Sequence, residues 1–92
     1  MKVRYTSGAA RQLEAILDYI ADRSPQGAQS VMDRIEATLH VLAEHPLSGQ
    51  ATNRPGYRRA VVGPYPYVIV YQPKATEIVI HGVRHAVRRP IG

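Results

Sequence analysis

The chain has no cysteine. That excludes a disulfide framework, a thiolate metal site and a thiol nucleophile. No apolar run approaches the roughly 20 residues that span a bilayer. The opening MKVRYTSGAARQ lacks the apolar core of a secretory signal. Together these absences favour the cytoplasm, away from membranes. Also missing are a Gly-rich phosphate loop, a Ser nucleophile elbow, a paired-carboxylate site, internal repeats and low-complexity tracts. Negative charge is scarce: seven Asp and Glu stand against twelve Lys and Arg, for a net charge of +5. Such a balance points to anionic partners.

What is present describes a folding chain. Hydrophobic residues make up 45% and charged ones 21% of 92 residues, enough for one domain over 1–92 and too little for two. Lys2 to Thr6 alternates, with Val3 and Tyr5 on one side, as a short half-exposed strand does. Ser7 offers a helix N-cap. Ala9, Leu13, Ile16, Leu17 and Ile20 then recur at helical spacing, with Arg11, Gln12, Glu14 and Asp18 on the other face. Ser24 as cap and Pro25 at the first helical position start a second helix, because proline lacks only an N–H that the first turn leaves unused. Its stripe is Ala28, Val31, Met32, Ile35, Leu39 and Leu42. So short a link predicts an antiparallel helix hairpin.

His45 to Gly56 (HPLSGQATNRPG) carries loop chemistry. Three strand candidates follow at 57–62, 67–72 and 77–84, separated by Gly63-Pro64 and Pro73-Lys74. The last two are apolar on both faces, as central strands are. The fold class expected is α+β, in the order β-α-α-β-β-β. An antiparallel sheet carries the N-terminal hairpin on one face, with Leu13, Ile16, Leu17, Ile20, Val31, Ile35, Leu39, Leu42, Ile69 and Ile80 in one core. The other face and its edge stay open for function.

The final stretch, IVIHGVRHAVRRP, turns from strand into a cluster of Arg84, His85, Arg88 and Arg89. A basic cluster of this kind suits a phosphate backbone or an acidic protein segment; a tail kept for solubility is the plainer account. LEAILDYIA (Leu13 to Ala21), the HPLSG link, GYRRAVVGPYPYVIVY and the closing VRHAVRRP, in this order and spacing, resemble the RelE/ParE superfamily of type II toxin–antitoxin toxins over essentially the whole chain. The resemblance implies a growth-inhibiting toxin neutralised by a cognate acidic antitoxin. It also implies one of two targets. ParE-like members inhibit DNA gyrase by binding; RelE-like members cleave mRNA on the ribosome without metal. The long hairpin and the generic basic ending place this chain nearer ParE. A non-toxic nucleic-acid-binding module is the third possibility, favoured by charge alone.

Metal-free RNA cleavage needs a proton acceptor, a proton donor and cations around the phosphorane. His85, Arg58 and Arg84 are the catalytic candidates in that case, and His85 falls where the resemblance places a C-terminal histidine. Against it, only Lys2 and Lys74 exist, so no lysine pair occupies the middle strands, and no aromatic follows His85. Arg59, Arg84, His85, Arg88 and Arg89 are the candidates for binding a target or antitoxin. Arg58 and Arg59 alternate across a strand, so the two face opposite ways. Tyr57, Tyr65, Tyr67 and Tyr71 serve better as strand formers than as base-stacking platforms. No metal or cofactor is expected: His81 and His85, four apart on a strand at ~3.3 Å per residue, stand roughly 13 Å apart, too far to share an ion.

Overall fold

The computed structural model describes residues 1–86 of the chain. Strand β1 (Lys2–Tyr5) leads into helix α1 (Ser7–Ala21), which is followed by α2 (Pro25–Glu44). Strands β2 (Gln50–Ala51), β3 (Arg58–Val61), β4 (Tyr67–Pro73) and β5 (Glu77–His85) complete the sheet, in spatial order β1-β5-β4-β3-β2. The helix hairpin covers one face, as the amphipathic stripes require.

Local chemistry accounts for the boundaries. Thr6, and not Ser7, caps α1: its hydroxyl accepts the Ala9 N–H at 3.1 Å. The chain is still extended at Thr6, whose N–H donates to the Ile80 carbonyl before the helix begins. Ser24 caps α2 through the Gly27 N–H at 3.0 Å, with Pro25 in the first turn. The core joins Ala9 and the α2 stripe Val31, Ile35, Leu39 and Leu42 to Ile69, Tyr71, Ile78, Ile80 and Val83 of the sheet. Leu13, Ile16, Leu17 and Ile20 pack against it from α1 but remain half-buried.

Two features depart from a simple antiparallel meander. β1 runs parallel to β5, with Val3 opposite Ile78 and Tyr5 opposite Ile80. A parallel pair needs a long crossover, and everything from Thr6 to Thr76 supplies it. The loop before β3 also contributes a short edge strand, β2, which pairs antiparallel with Arg58 and Arg59.

The HPLSG turn is held from beneath. The Tyr71 hydroxyl donates to the Pro46 carbonyl (2.8 Å) and accepts the Gly49 N–H (3.0 Å). Arg58 Nη1 donates to the carbonyls of Gly49 (2.7 Å) and Leu47 (3.3 Å). A Cβ on Gly49 would lie 2.5 Å from the Tyr71 hydroxyl and 2.7 Å from the Arg59 carbonyl oxygen, so only glycine fits there.

Candidate functional site

The side of the sheet away from the hairpin is organised by one irregularity. Along the β4–β5 ladder, Tyr71 pairs with Ile80 but Val70 pairs with Gly82, leaving His81 as an extra residue. A bulge of this kind reverses the alternation beyond it. Before it, Ile78 and Ile80 face the hairpin. After it, Val83 and His85 do so, and Gly82 and Arg84 turn to the open face. The same parity puts Arg59 (opposite Val70), Val68 and Val70 on the open face.

The result is a concave site of about 480 Å³. Val68 and Val70 lie at its base, Arg59 and Arg84 reach it from β3 and β5, and Thr52 and Asn53 border it from the loop after β2. Both arginines are exposed. No carboxylate lines the cavity. Its chemistry is therefore that of an anion site: two guanidiniums over an apolar base, where the low-dielectric floor strengthens their pull on phosphate or carboxylate.

The sequence candidates separate on this geometry. Arg59 and Arg84 come together. Arg58 does not join them; it is spent on the loop carbonyls on the hairpin side, as opposite facing of the two adjacent arginines requires. His85 borders the cavity, but its ring meets Tyr67 edge-on at a centroid distance of 5.5 Å. Its Nδ1 is buried and has no hydrogen-bond partner among the described residues. Arg88 and Arg89 lie outside the described residues. Gln12 of α1 had no assigned role, and it has one here: its Oε1 accepts the Val83 N–H at 3.0 Å, where β5 has run past the end of β1.

At the other end of the open face, planar groups are stacked. Arg54 lies 4.1 Å over the Tyr57 ring, and Tyr57 meets His81 at 4.8 Å. His81 Nε2 is 3.1 Å from Gln72 Oε1. Burial first, then the positive charges of Arg54, Lys74 and Arg4, hold the His81 imidazole below its ordinary value. Val79, two residues before His81, is buried although it lies on the nominally open side. Tyr57 and Tyr71 thus serve the fold, as strand tyrosines were expected to. Among the described residues no group of three or more His, Asp or Glu could hold a metal ion.

Residues 3–90 match the model of the ParE toxin of the type II toxin–antitoxin system, parDE. The chain belongs to the ParE toxin family. Toxin RelE2 of Caulobacter vibrioides is 38% identical over 87 residues, covering 95% of this chain and 97% of the relative. Putative toxin Y4kP of Sinorhizobium fredii is 34% identical over 85 residues, covering 92% and 88% respectively. Among solved structures, a chain of the chromosomal ParDE system of P. aeruginosa superposes with a TM-score of 0.77 at 25% identity, covering 92% of this chain and 95% of that one. The layered arrangement of this ParE-family toxin, hairpin on one face and basic cavity on the other, is thus a type II toxin fold. No helix among its described residues is long and apolar enough to cross a membrane.

Proposed function

We propose that this toxin acts by binding and inhibiting DNA gyrase in the cytoplasm, and that a cognate acidic antitoxin neutralises it. The observation that carries the binding mode is the composition of the open-face cavity. Arg59 and Arg84 supply cations there, no carboxylate or lysine accompanies them, and the one adjacent imidazole is engaged with Tyr67 on the other side of β5. A site so equipped holds an anionic surface by electrostatics and lacks a base–acid pair for cleaving RNA. The match to the ParE family supports gyrase as the target, and the net charge of +5 supports an acidic neutralising partner.

The second reading is a ribosome-dependent mRNA endonuclease. It is favoured by His85 at the rim of the cavity and by the likeness to Toxin RelE2. In that case His85 moves the proton while Arg84 and Arg59 hold the phosphate; Arg58 is tied to the loop and takes no part.

Purified protein in a gyrase supercoiling and DNA-cleavage assay, paired with primer extension on cellular mRNA after brief induction, separates the two. The expected outcome is stalled supercoiling or trapped cleaved DNA with mRNA intact. Codon-positioned mRNA cuts that vanish in His85→Ala would overturn the gyrase reading in favour of the nuclease.

A further inference from the structure

Charge is divided between the two layers of the fold. The hairpin, residues 7–44, carries six of the seven carboxylates (Glu14, Asp18, Asp22, Asp33, Glu36 and Glu44) against the three arginines Arg11, Arg23 and Arg34. The open sheet face has the reverse balance. Arg59 and Arg84 stand at its cavity end. Arg4, Arg54 and Lys74 gather around His81 at the other end, close enough for their charges to act on its ring. Lys2 lies beside them on β1, opposite Glu77, and all six cations are exposed. Glu77 is the one carboxylate on this face, and it accepts hydrogen bonds from Arg4 at 3.1 and 3.2 Å. A molecule polarised in this way approaches a polyanion sheet-first.

Breadth and texture select which polyanion. Five strands at about 4.8 Å spacing spread the cations over roughly 19 Å. A duplex carries one phosphate charge per ~1.7 Å of its axis, so about ten phosphates fall within that span. An acidic protein surface matches less well, because protein interfaces depend on exposed apolar anchors. Of the large hydrophobic residues exposed among the described residues (Met1, Tyr19, Val41, Leu47 and Val61), only Val61 sits on a strand of this face. A single strand matches less well too, because its unstacked bases need free aromatic rings. Tyr57, the tyrosine of this face, is already stacked with Arg54 and His81, while Tyr67 and Tyr71 pack on the hairpin side.

We infer that the open sheet face docks on the backbone of duplex DNA, so that the toxin grips the DNA that gyrase holds as well as the enzyme. The inference rests on the gyrase reading above and names the anion of the cavity. One backbone phosphate sits between Arg59 and Arg84, over the apolar floor of Val68 and Val70 that strengthens their pull. Neighbouring phosphates meet Arg54 and Lys74 at the far end of the face. The contact reads charge and not sequence, as phosphate contacts do. The carboxylates of the hairpin stay on the side away from the duplex, which fixes the orientation of the bound toxin.

The test titrates the full chain, without gyrase, into a short labelled duplex of arbitrary sequence and follows fluorescence anisotropy over a salt series. Single-stranded RNA of the same length and a capped poly-Glu peptide serve as the rival anions. The duplex should bind tightest, with affinity falling about a hundredfold between about 50 and 200 mM salt, as four phosphate contacts require. Arg59→Ala with Arg84→Ala should reduce the salt slope by about two and leave the melting temperature unchanged. Arg11→Ala with Arg23→Ala, which removes the same charge from the hairpin, should leave the slope as it is. No duplex binding at low salt, or tighter binding of the RNA or the peptide, would overturn the inference. So would a slope that survives loss of Arg59 and Arg84 and collapses in Arg88→Ala with Arg89→Ala, since the tail would then be the contact. A supercoiling assay judges the gyrase reading separately. Full gyrase inhibition by a variant that no longer binds duplex would sink the DNA contact and leave the gyrase reading standing. Duplex binding with the expected slope but no gyrase inhibition would support the docking face and sink the gyrase reading.

Discussion

The hydroxyl of Tyr71 and the amide of Gly49, 22 residues apart in sequence, meet at 3.0 Å and hold the loop between hairpin and sheet in place. The ring of Tyr71 is fully buried, and its hydroxyl also donates to Pro46, so one side chain serves both the core and the loop. Burial raises the Tyr71 pKa, partly offset by the Gly49 hydrogen bond and the Arg58 charge.

Tyr71→Phe should therefore cost about 1–3 kcal/mol, because it leaves the Gly49 amide and the Pro46 carbonyl without their partner. Gly49→Ala should cost a similar amount through overpacking against the same hydroxyl and the Arg59 carbonyl. Combined, the two changes should be less than additive, since both act on one contact. Urea denaturation of the two single variants and the double variant checks this.

Leu39→Ala, on the buried stripe of α2, should destabilise by about 2–5 kcal/mol, a large share of what so small a domain possesses. A loss under about 1 kcal/mol in the same assay would mean that the hairpin does not close the core as described.

Stability should rise with pH through two windows. The folded state holds His81 below its ordinary 6.5, so the unfolded chain takes up the proton first and stability falls as pH drops below that value. Glu77 is held below its ordinary 4.5, chiefly by the hydrogen bond from Arg4; its contribution is present above 4.5 and lost at lower pH. Both groups are solvent-accessible, so the slopes should be shallow. Melting temperatures between pH 3.5 and 8 should show His81→Gln flattening the upper window and Glu77→Gln the lower one.

For activity, Arg59→Ala and Arg84→Ala should each weaken growth inhibition by degrees, with melting temperatures unchanged because both side chains are exposed. His85→Ala should be mild. A proton-transfer role for it would instead show as a loss of 10²–10⁴-fold in cleavage rate. Induction-titrated growth curves beside melting curves distinguish these outcomes.

Much of the fold was legible because it rests on periodic burial. The α2 stripe, the Ser24-Pro25 start and the three later strands follow from spacing and turn chemistry alone. The parallel β1–β5 pair was not legible, because it joins residues more than seventy positions apart and Val3 and Tyr5 do not specify strand direction. β2 was hidden because its two residues, Gln50 and Ala51, are both exposed and carry no alternation. For the site, the basic character of Arg59 and Arg84 is plain in the sequence, but their meeting is not. EIVIHGVRH is apolar on both faces, so nothing in its pattern marks His81 as the extra residue. Arg58 was legible as an arginine facing away from Arg59, whereas its capture by the Leu47 and Gly49 carbonyls depends on where the loop folds back.

The bulge at His81 also fixes how β5 should answer a saturation scan. Charged substitution should be rejected at Ile78, Val79, Ile80 and Val83, all buried, and accepted at Arg84, with His81 marking where the facing slips by one position. Removing His81 would restore regular pairing with Gly82 still opposite Val70, so Val83 would stay on the hairpin side and Arg84 on the open face. A one-residue deletion there should thus be better tolerated than the same deletion at Ile80 or Val83, each of which removes a buried core side chain. Strand β5 behaves as two half-strands of opposite polarity, joined at a histidine beyond which the cation faces outward.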